Sequence, residues 1–268
     1  MTTFAALGDS ITLGIGDPAP GRTWRDWAAL LAEGLPEPRL HNLATAGAQA
    51  TDVERGQLPR ALELRPEVAS VIVGINDTLR ASFEPQRFAR ACEHTVGALR
   101  SAGAEVLTIR LPDPGLMLGL PSALSRPLAR RIAAVNAVMD DLTGRFGTLV
   151  FDAARDAETY DRRMWSVDRL HPSERGHRLI AGRFHDRLAE AGLPLGPRPE
   201  PEPSSPPPTR LAQAGWMATK GTAWVIRRST DLVPYLMFMG LRELWEVDAG
   251  PSAGYVGQTY SRPFEREK

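Results

Sequence analysis

The sequence has little cysteine, little lysine and no long hydrophobic run. Its one cysteine, Cys92, excludes an intrachain disulfide framework and a metal site built from several thiolates. Its setting, Ala-Cys-Glu-His in a helix-like stretch, points to a small buried residue rather than a reactive thiol. Lysine occurs only at Lys220 and Lys268, so arginine carries almost all the positive charge. Lys and Arg number 32 and Asp and Glu also 32, which leaves a formal net charge of zero. No broad basic footprint for nucleic acid is therefore expected. The densest apolar stretch, Leu232 to Leu241, falls well short of the roughly 20 residues that cross a bilayer. The opening, Met1-Thr-Thr-Phe-Ala-Ala-Leu, has no basic start and does not read as a signal peptide, so the expected location is the cytoplasm.

What is present is an ordinary globular composition, 43% hydrophobic and 24% charged over 268 residues. Short apolar runs alternate with helical patterns through the first two thirds. Strands are expected at Phe4–Leu7, Arg39–Leu43, Val68–Val73, Glu105–Ile109 and Thr148–Phe151. Helices are expected from about Thr23 to Glu33, from Pro85 to Ala102, from Arg126 to Phe146 and from Ser173 to Ala191. Thr51 and Asp52 are read as caps of a further short helix. The alternation implies an α/β fold with a parallel sheet covered on both faces. Five strands suit a three-layer, flavodoxin-like doubly wound sheet. In such sheets ligands bind outside the carboxyl ends of the strands, so chemistry is sought just after each strand.

Residues 1–192 form this α/β unit. Leu193 to Thr209 contains eight prolines and reads as a stiff linker over 193–209. Residues 210–247 carry Trp216, Trp224, Tyr235 and Trp245 in a helical pattern, with Asp231 as a cap and Pro234 in the first turn after it. Residues 248–268 are a polar tail. The helical extension has three open readings: it folds back over the core, meets a partner protein, or lies on a membrane through Lys220, Arg227, Arg228 and Arg242.

Four post-strand segments carry chemistry. Gly8-Asp9-Ser10 follows the first strand and offers an exposed serine, although Asp-Ser after Gly is also ordinary turn chemistry. In Asn42-Leu-Ala-Thr-Ala-Gly47, Gly47 offers a backbone N–H where a side chain would obstruct, or is a plain turn glycine. Gly74-Ile-Asn76-Asp77 follows the third strand, and its Asn76 amide either faces a developing oxyanion or bonds its own loop. Asp168-Arg-Leu-His171-Pro172 precedes the last helix. His171 is positioned in sequence to serve as a general base, with Asp168 orienting its ring, or the two simply cap a surface loop. His177, six residues later, reads as a capping or surface residue, and His41, His94 and His185 compete poorly.

Taken in order, these four segments resemble the blocks of the SGNH hydrolases, also called GDSL esterases or lipases. The resemblance spans about residues 4–192. It implies hydrolysis of carboxylic esters, with Ser10 as nucleophile, His171 as base and Asp168 as orienting acid. It also implies an oxyanion hole made of the Ser10 and Gly47 N–H groups and the Asn76 amide, with Asp9 and Asp77 fixing loops.

Elementary chemistry is consistent with that assignment. A serine hydroxyl needs an adjacent base, and histidine serves near neutral pH. No His/Cys cluster points to a metal and no cofactor is expected. The missing Gly-x-Ser-x-Gly elbow separates the chain from the α/β-hydrolases. No glycine-rich phosphate loop supports a nucleotide binder on the same fold. The long apolar loop Leu111–Pro121 after the fourth strand, through Leu116 and Met117, together with Trp165, is the candidate substrate wall, although the same residues equally suit packing against the next helix. The expected partner is a small ester. The alternative is a catalytically silent binding or scaffold protein acting through its C-terminal helices.

Overall fold

The computed structural model describes residues 1–17, 24–204 and Phe238. Five parallel strands form one sheet in the order β2-β1-β3-β4-β5. They are β1 (Thr2–Gly8), β2 (Pro38–Asn42), β3 (Val68–Ile72), β4 (Glu105–Arg110) and β5 (Leu149–Asp152). The three middle strands, apolar on both faces, are nearly all buried, while β2 and β5 at the edges are half-exposed.

Two helices cover one face: α2 (Trp27–Ala32) and the last helix, α9 (Glu174–Glu190). Trp27 of α2 packs on Phe184 of α9 with ring centroids 5.0 Å apart, and Phe184 meets Phe151 of β5 edge-on at 6.1 Å. The other face carries α4 (Leu58–Leu64), α6 (Pro85–Ser101) and α8 (Ser122–Phe146). Between these lie the shorter α1 (Ser10–Leu13), α3 (Ala50–Asp52), α5 (Ile75–Thr78) and α7 (Pro114–Leu118). Cys92 lies buried on α6, its thiol pKa pushed well up by burial, as its helical setting suggested.

Three local expectations are corrected. The cap of α3 is Gln49 rather than Thr51 or Asp52; Asp52 instead accepts from the Gln49 N–H at 2.9 Å. The segment after β4 is not a plain loop. Asp113 caps α7 by accepting from the Gly115 N–H at 2.7 Å, and Pro114 takes the first helical position. His177 is not a capping or surface residue but fully buried. It shares the inward stripe of α9 with Ile180, Ala181, Phe184 and Leu188. Neither ring nitrogen has a hydrogen-bond partner among the described residues, and burial beside His171 pushes its pKa down to about 3.

Residues 193–204 form neither helix nor strand, in keeping with their prolines, and they are strapped along α9. Leu193 and Leu195 pack against the core, and the Gly196 N–H donates to the Gly34 carbonyl at 2.8 Å. Arg198 pairs with Asp186 and Arg175 with Glu202. The buried Glu174 carboxylate receives the Ser204 N–H and hydroxyl along with Arg25 and Arg178. Burial alone would raise its pKa, but these donors hold it at about 2. Of the helical extension and tail expected over 210–268, only the exposed Phe238 is described; the rest lies outside the described residues. Among the described residues no helix is long and apolar enough to cross a membrane.

Candidate active site

The strand order reverses beside β1, because the chain visits β2 on one side before crossing to β3 on the other. Such a switch point opens a crevice at the carboxyl ends of the strands. Three of the four candidate segments leave the sheet there. Ser10 is the first residue of α1, directly after β1. Asp9 is its extended N-cap and accepts from the Ile11 N–H at 3.0 Å, which turns the chain sharply enough to present Ser10.

The fourth segment comes from 161 residues away. His171 Nε2 lies 2.9 Å from Ser10 Oγ, and His171 Nδ1 lies 2.7 Å from Asp168 Oδ2. A carboxylate only accepts, so Nδ1 carries the proton there and Nε2 is left to accept from the serine hydroxyl. The second Asp168 oxygen accepts from the Ser166 hydroxyl at 2.7 Å and from the N–H groups of Leu170 and His171 at 2.9 and 3.0 Å. Burial would raise the Asp168 pKa, but His171, Ser166 and the backbone donors hold it at about 2. The loop is pinned by a backbone bridge between Trp165 and Pro172, and Arg169 takes a left-handed conformation at its tip. Gly16 fits tightly beneath: a Cβ there would lie 2.9 Å from the His171 Cβ and 2.5 Å from the Pro172 carbonyl.

The opposite wall is built from the Gly47 and Asn76 loops. Asn76 Nδ2 donates to Asp9 Oδ2 at 3.0 Å and to the Ala48 carbonyl at 3.3 Å. One amide thereby ties the neighbour of Ser10 to the neighbour of Gly47. Asp77 receives the Ala50 N–H on both oxygens at 3.2 Å. Gly47 has φ +80°, a backbone shape that strongly favours glycine. The N–H groups of Ser10 and Gly47 donate to no group among the described residues. Asp9 and Asp77 have pKa values pushed up to about 6, chiefly by burial and only partly offset by their N–H donors.

Ser10, Asp168 and His171 are thus brought into one hydrogen-bonded chain, and Asn76 stands beside it. Ser166 and Gly16 were not singled out in the sequence. A serine two residues before the aspartate was a usable signal for the first; nothing local marked the second. Of the candidate substrate residues, Leu116 is 69% exposed on α7 and Met117 is half-buried beside it. The Trp165 indole donates to the Thr159 carbonyl at 2.7 Å.

The chain matches the GDSL-like lipase/acylhydrolase family over residues 6–179, and it belongs to that family. It is therefore an ester hydrolase of the SGNH/GDSL type. Several solved structures share the fold, each with a TM-score of 0.56 at 19% identity. One is the lipase Lip_vut3 from a goat rumen metagenome, covering 72% of this chain and 98% of its own. Another is the lipase/acylhydrolase from Enterococcus faecalis, covering 76% and 100%. A third is Axe2, an acetylxylan esterase from Geobacillus stearothermophilus, covering 76% and 97%. No curated protein matches the chain.

Proposed function

We propose that this chain cleaves carboxylic esters through an acyl-enzyme formed on Ser10. The observation that carries the reading is the continuous chain from Asp168 through His171 to Ser10, with links of 2.7 and 2.9 Å. Ser10 Oγ attacks the acyl carbon while its proton passes to His171 Nε2. Asp168 keeps the ring in the required tautomer and offsets the imidazolium charge. The carbonyl oxygen, now an anion, is held by the N–H groups of Ser10 and Gly47 and by the Asn76 amide. Collapse breaks the ester bond, and the alcohol departs with the proton from His171. Water then attacks the acyl-serine by the same route, releasing the acid and free Ser10.

Two of the three oxyanion donors, the N–H groups of Ser10 and Gly47, are unengaged among the described residues and need no rearrangement there. Asn76 has a bond to give up, and the long contact to Ala48 at 3.3 Å is the weaker of its two. The anion takes that hydrogen while Asp9 keeps the other and holds the amide in place. Leu116, Met117 and Trp165 are proposed as the wall that sizes the acyl group. A membrane-contact role for 210–247 is tested by truncating the chain after residue 209 and measuring co-sedimentation with lipid vesicles.

The deciding experiment is hydrolysis of p-nitrophenyl esters of rising chain length by wild type, Ser10→Ala and His171→Ala. Wild type is expected to turn over, and each variant to lose about 10³-fold or more in kcat. A fluorophosphonate should label Ser10 in the wild type. An inactive wild type whose Ser10 also resists the probe would favour the silent scaffold instead.

A further inference from the structure

The carboxyl end of β1 is held by a side chain where a strand would be expected. β2 accompanies β1 only as far as Asn42, opposite Ala6. Beyond it the chain turns away, with the N–H groups of Leu43 and Thr45 donating to the carbonyls of Ala6 and Gly8. The Gly8 N–H faces the same side and has no strand peptide to meet it. A buried amide in that position needs an acceptor. Gln57 supplies one: its Oε1 accepts from the Gly8 N–H at 2.8 Å, and its Nε2 donates to the Gly8 carbonyl at 2.9 Å. The carboxamide copies the hydrogen-bonding face of a missing strand residue. The same Nε2 donates to Thr45 Oγ1 at 3.2 Å.

Gln57 reaches this place from across the sheet end because it closes a π-helical turn, Val53–Gln57, between α3 and α4. Such a turn inserts one residue into a helix, rotates the helical residues beyond it, and is frequent at functional sites. Gln57 is only 3% exposed, so its amide has no water to fall back on. Gly8 itself has no room for a side chain, since a Cβ there would lie 2.5 Å from the Ile72 carbonyl and 2.6 Å from Thr12 Oγ1.

We propose that Gln57 is a positioning residue for the reaction. Its carboxamide fixes the Gly8 peptide two residues before Ser10 and the Thr45 hydroxyl two residues before Gly47. One buried side chain thereby sets the nucleophile and an oxyanion N–H in a common register. The proposal rests on the assignment of Ser10 as nucleophile and Gly47 as donor.

The test compares Gln57→Leu, Gln57→Glu and Ser10→Ala on p-nitrophenyl acetate, well below each Tm, with wild type and the Gln57 variants normalised per site titrated with a fluorophosphonate and Ser10→Ala per mole of folded protein. Gln57→Leu is expected to lower kcat by about 10- to 100-fold with KM within about twofold, the usual cost of a small misplacement. Gln57→Glu is isosteric, and only its protonated form both accepts from the Gly8 N–H and donates to the Gly8 carbonyl. Its kcat relative to wild type at the same pH should therefore rise as pH falls. A purely structural residue lowers Tm but leaves kcat per titrated site and this ratio flat across pH; that result overturns the proposal. Should Gln57→Leu fail to fold, the isosteric Glu variant decides. Retained activity in Ser10→Ala sinks the underlying assignment and this proposal with it. Loss in Ser10→Ala with full kcat in the Gln57 variants sinks this proposal alone.

Discussion

The two walls of the candidate site treat their carboxylates in opposite ways. On the histidine side, Asp168 accepts four donors and its pKa is held down at about 2. On the Asn76 side, Asp9 and Asp77 are more deeply buried, accept fewer donors, and have pKa values pushed up to about 6. Burial raises all three; the supply of donors decides which way each one finally moves. The low-pKa carboxylate stands where, in the proposed mechanism, a positive charge appears on His171. The high-pKa pair stands behind neutral donors and orients amides, a task that asks less of its charge.

The sharpest way to break this contrast is Asp168→Asn. It keeps the shape but supplies no carboxylate to hold the Nδ1 proton, so kcat should fall by about 10⁴-fold, measured on a p-nitrophenyl ester. A loss of less than tenfold would place the orienting charge elsewhere. Removing an amide from the other wall should cost less. Asn76→Ala is expected to lower kcat by about 10²- to 10³-fold with little change in KM, since the proposed oxyanion donor acts chiefly on the anion.

Stability against pH sharpens the comparison further, because the two walls have opposite signs. A carboxyl whose folded pKa lies below its unfolded value stabilises above that unfolded value. For Asp168 that contribution fades as pH falls from about 4 to about 2. A carboxyl raised to about 6 favours the folded state in its protonated form, so stability declines as pH rises from about 4 to about 6. Asp77→Asn, which can still accept from Ala50, should remove its share of that decline. Its Tm relative to wild type should climb across this window, by the equivalent of up to about 3 kcal/mol. A difference that stays flat from pH 4 to 6 would show Asp77 titrating normally.

A smaller effect is expected at the strap. Glu174→Gln removes the charge that gathers Arg25, Arg178 and Ser204. It should cost about 1–3 kcal/mol, a Tm drop of several degrees, and quicken proteolysis at Arg198. Turnover should stay within about twofold, and a large loss would tie the strap to catalysis. The smallest change is at Leu116. Leu116→Ser should move stability by less than about 0.5 kcal/mol and alter only the acyl chain-length profile. An unchanged profile would remove Leu116 from the proposed substrate wall.

Much of the fold was legible because its signals are local. The β-branched run Val68–Ile72 could hardly be anything but a buried strand, and Ser173, accepting from the Gly176 N–H, caps α9 at the start expected for that helix. Reading failed where a residue's role depends on what packs against it. His177 looked like a surface residue by its chemistry, yet its spacing of three, four and seven to Ile180, Ala181 and Phe184 placed it on the buried stripe. That signal was present and outweighed by residue type. Helix α7 was hidden because Pro114-Gly115 looks like a turn, although Asp113 before a proline is a fair helix start. Gln57 carried no signal at all. Its partner is a peptide 49 residues away, reached only through a π turn that no periodicity announces.

The sequence by itself determined the strand–helix alternation, the family, and the identity and order of Ser10, Gly47, Asn76, Asp168 and His171. Those come from side-chain type and short-range spacing, which a linear chain records directly. The tertiary structure alone decided which donors each carboxylate receives and how deeply it is buried. It therefore decided that Asp168 is pulled down while Asp9 and Asp77 are pushed up. It also decided that the prolines of 193–204 lie strapped to α9, and that a glutamine completes the end of β1. Burial and hydrogen bonding are sums over neighbours distant in the chain, and those neighbours exist only once the sheet has closed around them.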